Sequence, residues 1–231
     1  MTVPRQESAP RAGSAPEPAK ASPPESAPES AVPSTVRRLK SPAALAMADL
    51  AALFEDLQTT LRCCERLITE LAVASGEGAE GAEPDDLALE AYWTTALLSY
   101  ARCFAPGPRG TGLTEEDVTA TGLAGDVVGW HKVLLQLRDR VADPVVNPRE
   151  SFSVGASQDS TGHAEGVAVA STRQPSVDEV SVRQTGAVAY ALSALVDERL
   201  SAQQGVVFTA VAAMARPALD VLPKLHLSAP E

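Results

Sequence analysis

The sequence predicts a mainly α fold, a four-helix bundle with a small β-hairpin between the third and fourth helices. Three observations carry this. Apolar residues recur at steps of three and four through most of the chain. Capping residues, glycines and prolines punctuate that pattern at four helix starts. One stretch, after Pro148, changes to an alternating texture broken by a polar turn. At 231 residues the chain has room for one domain with its own core plus flanking segments. Aromatic content is only 4%, so that core must come mostly from Ala, Leu and Val.

Residues 1–41 are rich in Pro, Ala, Ser and Glu, with too few large apolar side chains to offset the entropy of ordering, and are expected to form a tail. Arg37, Arg38 and Lys40 close it as solvated charges, with contact to an acidic partner as the alternative. The helical domain is expected over 42–216. Ser41 caps its first helix and Pro42 takes the first helical position. Leu50, Phe54, Leu57, Leu61, Cys64, Ile68 and Leu71 then form a heptad seam, which fits either a partner helix in the same chain or a dimeric coiled coil. The Gly-rich run Gly76 to Ala82 closes this helix in a loop.

A second helix is expected from Pro84 and Asp85 to about Phe104, with Leu89, Trp93, Ala96, Tyr100 and Cys103 on its seam. Thr114 opens the third with a capping-box pattern to Asp117. Gly122 and Gly125 should break it before a longer run from about Leu123 to Ala142. Trp130, Leu134, Leu137 and Val141 share one stripe of that run, and Pro144 biases Asp143 away from helix. The hairpin is placed at Ser151 to Ala156 and Glu165 to Ser171. Since two strands alone are marginal, it is expected to lean on the helices. Ser176 to Glu179 is a capping box for the fourth helix, whose apolar stripe is Val188, Leu192, Leu195 and Val196. Gly205 is expected to interrupt that helix, with Val207, Val211 and Met214 continuing its face to Arg216. Pro217 and Pro223 should end helical order and leave 217–231 as a short tail.

The formal net charge of -11 and pI of about 4.8 argue against strong non-specific nucleic-acid binding, which needs concentrated positive charge. Cys63, Cys64 and Cys103 are odd in number and lack a Cys-x-x-Cys pair, so they read as small buried apolar residues. The first residues lack the apolar core of a signal peptide, and no run reaches 18 apolar residues. The cytoplasm is the expected compartment, with no membrane contact.

The sequence has no phosphate-binding loop, dinucleotide fingerprint, His-Glu-x-x-His or Gly-x-Ser-x-Gly motif. His131, His163 and His226 fall on a helix, a turn and a tail without a second ligand at helical spacing. They are expected to be surface or half-buried residues, and no metal or cofactor is expected. The acidic pairs Asp85–Asp86 and Glu115–Glu116 sit at helix starts, where the helix dipole accounts for them.

Five pieces of the chain, Tyr100-Ala-Arg-Cys-Phe104, Gly107-Pro-Arg109, Leu137-Arg-Asp139, Val146-Asn147 and Glu150, stand in the order of a pattern found in actinobacterial proteins of unknown function. There a Tyr-x-Arg-Cys-Phe helix precedes a Leu-Arg-Asp-Lys-His-x-Ala-His-Ser-Val-Asn-x-x-Glu segment, a hairpin and a last helix. Over roughly residues 45–215 the chain resembles these proteins, and through them the HEPN superfamily of four-helix domains. The resemblance implies a HEPN-like bundle and a homodimer, in a superfamily whose active members cut RNA. The cleavage motif is an arginine followed four to six residues later by a histidine. Arg138 matches the arginine, but Val141 and Pro144 stand where the related pattern has histidines. Metal-independent cleavage needs a group that exchanges protons near neutral pH, and arginine cannot do so.

The leading expectation is therefore a non-catalytic, HEPN-like binding or regulatory module, connected with toxin–antitoxin or phage-defence systems. Arg102, Arg109, Arg138 and Asn147 are its candidate ligand-binding residues. One alternative is an active metal-independent endoribonuclease, with Arg138 on the phosphate and Asp143 or His131 as the acid–base group. The other is a purely structural helical interaction protein built on the heptad seam of the first helix; a protein or RNA is the partner expected besides a second copy. For Arg138 itself, an ion pair to Asp139, Asp143 or Glu150 competes with the binding role, and Asn147 equally reads as a turn residue.

Overall fold

The computed structural model describes residues 35–74, 85–105, 110–145, 147 and 149–225. In chain order these form β1 (Val36–Arg37), α1 (Pro42–Ala74), α2 (Asp86–Arg102), α3 (Glu115–Ala120), α4 (Val127–Ala142), β2 (Glu150–Gln158), β3 (Ala164–Arg173), α5 (Glu179–Ala212), α6 (Arg216–Asp220) and β4 (Lys224–Leu225). The chain divides into two units, Met1–Val36 with Lys224–Glu231, and Arg37–Pro223. In the first, the described residues belong to the short sheet of β1 and β4. The second holds the helices and the hairpin.

Helix α1 starts as its sequence dictates. The Ser41 hydroxyl accepts the Ala44 N–H at 3.2 Å, and Pro42 occupies the first helical position. Two helices run antiparallel to it. Thr60 and Asp56 of α1 meet Ala96 and Arg102 of α2. Ala43 and Cys64 of α1 meet Gln203 and Gly186 of α5. The heptad seam is thus covered within the chain: Leu50, Leu57 and Cys64 are buried, and Phe54, Leu61, Ile68 and Leu71 pack on the core partly buried. A second stripe of α1, Leu53, Thr60 and Leu67, is fully buried as well. A helix held on two sides needs two such stripes, and the polar Thr60 and Asp56 hide the second one from a reading of hydrophobic period.

Asp85 caps α2, its carboxylate accepting the Leu87 and Ala88 N–H groups at 3.0 and 3.1 Å. The third predicted helix divides in two, because Gly122 and Gly125 take φ of 65° and 91°, a region that other residues rarely enter. Asp126 caps the second piece, α4, through Gly129 N–H at 2.8 Å. Ahead of the break, Asp117 accepts the Thr114 N–H at 2.9 Å and also pairs with Arg199 of α5. This ion pair fastens the short α3 to the last long helix.

Several expectations are corrected. There are six helices among the described residues rather than four. Helix α5 is capped by Asp178, which accepts Ser181 N–H at 2.8 Å, instead of by Ser176. It runs unbroken through Gly205: one glycine costs a helix about 1 kcal/mol, less than terminating it there would lose. Pro217 lies in the first turn of α6 instead of ending helical order, since the opening N–H groups of a helix need no internal partner. Ordered structure accordingly continues beyond 216 and begins before 42. Arg37 donates to Leu222 O at 2.8 Å and lies 3.6 Å from Asp220, so it is not merely solvated.

The hairpin departs furthest from expectation. Strands β2 and β3 pair antiparallel, with Val154 opposite Val169 and Ala156 opposite Val167, around a turn organised by Asp159. Every residue from Ser151 to Arg173 is exposed, so the hairpin does not lean on the helices through an apolar face. Two ion pairs at its base, Arg149–Glu90 at 2.7 Å and Arg173–Asp86, tie it to α2. Solvent and salt screen exposed pairs of this kind, so they hold the hairpin only weakly.

The two regions should respond differently to truncation. Leu57→Ala is expected to cost about 2–5 kcal/mol in urea unfolding, whereas Phe152→Ser, on the hairpin, is expected to stay within about 0.5 kcal/mol of wild type. A large loss from the second change would mean that the hairpin is covered in solution.

Candidate functional site

The last turns of α4 and the segment after it hold most of the residues singled out by the sequence. Arg138 is half-buried, with the exposed Asp139 carboxylate 2.7 Å from its Nε. That oxygen lies off the axis of the N–H, so the contact is Coulombic and Nε is left without a hydrogen-bond acceptor. The negative end of the α4 dipole adds a further favourable field for Arg138 and Arg140.

Asp143 ends the helix in an extended conformation, as Pro144 requires, and its carboxylate accepts the Val145 N–H at 2.9 Å. Asn147 does the same one step on, its side-chain oxygen accepting from Arg149 and Glu150 N–H at 2.9 and 3.2 Å. Both serve as turn residues that lead the chain into β2. Arg102 turns instead toward α1, 3.5 Å from the nearly buried Asp56. The partners of Arg102 and Arg138 therefore lie on different helices, and these contacts do not bring the two guanidinium groups together. Arg109 and His226 lie outside the described residues.

His131 is 4% exposed, correcting the expectation of a surface or half-buried ring. Its Nδ1 lies 2.9 Å from the Tyr100 hydroxyl, and Phe104 packs on the ring with centroids 4.4 Å apart. Burial lowers its pKa, a nearby Glu115 opposes this, and Lys132 lowers it again. Burial also raises the pKa of Tyr100, which keeps the phenol protonated. A neutral imidazole carrying its hydrogen on Nε2 accepts the phenol hydrogen at Nδ1, so the pair satisfies itself inside the core. The signal was in the sequence: His131 precedes Leu134 by three residues and shares its side of the helix. His163 lies exposed in the hairpin turn, 2.8 Å from the Thr161 hydroxyl.

Two further polar groups are buried for structural reasons. Burial pushes the Asp117 carboxyl up, but hydrogen bonds from Arg199 and Thr114 together outweigh it and hold the group below its ordinary value. Burial raises the Cys64 thiol to about 12, so it is unreactive at neutral pH. Among the described residues no cluster of three or more His, Cys, Asp or Glu side chains could hold a metal, and no helix is long and apolar enough to cross a membrane.

No family model matches the chain, and no curated protein or solved structure matches it either.

The buried histidine gives the fold a pH dependence of known sign. With the folded pKa depressed, the unfolded chain binds the extra proton first, so the contribution is complete above the unfolded value of about 6.5 and declines as pH falls through it. Urea unfolding between about pH 7.5 and 5.5 should show stability falling by less than about 1.4 kcal/mol per pH unit, the limit for one proton. His131→Phe should flatten that slope. An unchanged slope would place the proton uptake elsewhere.

Proposed function

We propose that this chain is a non-catalytic, HEPN-like helical module that acts by binding and in a regulatory capacity. The observation that carries this reading is the placement of histidine. Where the related pattern has histidines after Arg138, this chain has Val141, packed on the core, and Pro144. The histidine that α4 does carry is enclosed with its Nδ1 on Tyr100. The Asp143 carboxylate already holds the turn after the helix. Cleaving RNA without a metal requires proton transfer at the attacking hydroxyl and at the leaving oxygen, and these groups are committed elsewhere.

Binding asks less of the same surface. The Arg138 side chain is part-exposed, although its Nε is itself enclosed and without a hydrogen-bond acceptor. A planar donor fork of this kind suits a carboxylate or phosphate, whether on a small anionic ligand or on a partner.

Incubation of the purified full chain with labelled mixed-sequence RNA in chelator, beside Arg138→Ala, tests the reading. No cleavage by either protein from about pH 5.5 to 8.5 is expected. Cleavage by wild type alone would overturn it in favour of a metal-independent endoribonuclease. Because the Asp139 contact is largely exposed, Arg138→Ala should also change stability by less than about 1 kcal/mol. A larger loss in urea unfolding would make Arg138 structural.

A further inference from the structure

Where the start of α1 meets the end of α5, the charge of the chain is locally inverted. Residues 37–48 and 200–219 include Arg37, Arg38, Lys40 and Arg216 and no acidic residue, in a chain whose net charge is -11. The two stretches run side by side. The Gln203 side chain donates to Ala43 O at 2.9 Å, and because α1 and α5 are antiparallel the residues leading into α1 follow the last turns of α5. Arg37 and Arg216 each lie 3.6 Å from Asp220, which answers their charge. Arg38 and Lys40 are exposed and have no ionic partner among the described residues.

The same place is apolar. Val196 is the last fully buried residue of α5, and beyond it Val206 and Phe208 stand 56% and 72% exposed, with Leu45 exposed on the first turn of α1. An open groove of about 480 Å³ runs between the two helices, with Met47 on the α1 side and Gly205, Phe208 and Val211 on the α5 side. Gly205 has nothing within 4 Å of the point where a side chain would begin, so the α5 wall is low there. Contiguous apolar surface with a polar rim marks an interaction site.

We propose that this groove docks an acidic amphipathic helix of a partner protein, whose apolar side chains enter between Met47 and Phe208 and whose carboxylates face Arg38 and Lys40. A groove between two helices accepts the apolar stripe of a third, with anchors at helical spacing. Phe208 is the exposed aromatic on which such an anchor packs. Arg38 and Lys40 fix the sign of the partner, since complementary charge speeds encounter and like charge rejects a basic helix.

The other occupants suit the surface less well. A second copy would bring the same two cations against this groove. A bilayer is flat and does not follow a groove between helices, and anionic headgroups repel a chain that carries -11. A nucleic acid would engage the cations and leave the apolar walls uncovered. The groove lies apart from Arg138, and its test uses no RNA, so it stands or falls independently of the function proposed above.

The probe is a labelled peptide of about 16 residues, with leucine at helical spacing and glutamate over the remaining face. Titrated with the full chain and followed by fluorescence anisotropy, it should bind saturably with a dissociation constant on the order of tens of micromolar. The same peptide with lysine in place of glutamate should bind at least about fivefold more weakly at low salt. Phe208→Glu should weaken the acidic peptide at least about tenfold, with an unchanged helical circular-dichroism signal because the side chain is exposed. The double change Arg38→Glu with Lys40→Glu should reverse the preference between the two peptides. Absence of acidic-peptide binding up to about 200 µM protein would overturn the proposal, as would equal binding of both peptides or a Phe208→Glu protein that binds as tightly as wild type. Partition onto phosphatidylglycerol vesicles in place of peptide binding would reassign the surface to lipid, and a concentration-dependent doubling of mass in sedimentation velocity in its place would reassign it to a second copy.

Discussion

The structure depends on α1 being covered from two sides at once. Leu53, Leu57 and Leu67 are fully buried, and the helix lies antiparallel to both α2 and α5. A helix in that position must present two apolar stripes, so its polar residues have to be small or paired. Thr60 meets this need by donating to the Asp56 carbonyl one turn earlier at 3.0 Å, and Asp56 lies beside Arg102 of α2. Small residues facing α1 from α5, Gly186 and Ala189 among them, allow the two long helices to approach. The remaining elements are arranged around this trio.

That arrangement decides which polar groups are available for function. Asp117 is consumed in fastening α3 to Arg199, and His131 is consumed in the contact with Tyr100. What remains near the end of α4 is a part-exposed arginine, beside turn residues whose side chains already hold the backbone.

The bundle also leaves two apolar features outside itself, at places set by its geometry. The hairpin is tied to the first turns of α2 and carries Phe152, Val154, Val167 and Val169 exposed on one face. The end of α5 extends past its last fully buried residue, beside the start of α1. Antiparallel packing places the first turns of α2 near the end of α1 and the last turns of α5 near its beginning, so these features lie toward opposite ends of α1.

By itself the sequence determined the local structure: the mainly helical class, the caps at Ser41, Asp85 and Thr114, the break at Gly122 and Gly125, the turn at Asn147 and the hairpin's position. Caps, turns and strand alternation are interactions between residues close in the chain, so their signals are legible there. The cap at Asp178 and the continuity of α5 through Gly205 were misjudged even so, because neighbouring candidates compete within fractions of a kcal/mol and the fold selects among them. Only the tertiary structure decided that the α1 seam is covered within the chain, that His131 is enclosed, and that the hairpin lies uncovered. The physical reason is the same in each case. Periodicity records which face of an element avoids water, while the surface that covers that face is contributed by residues far away in sequence.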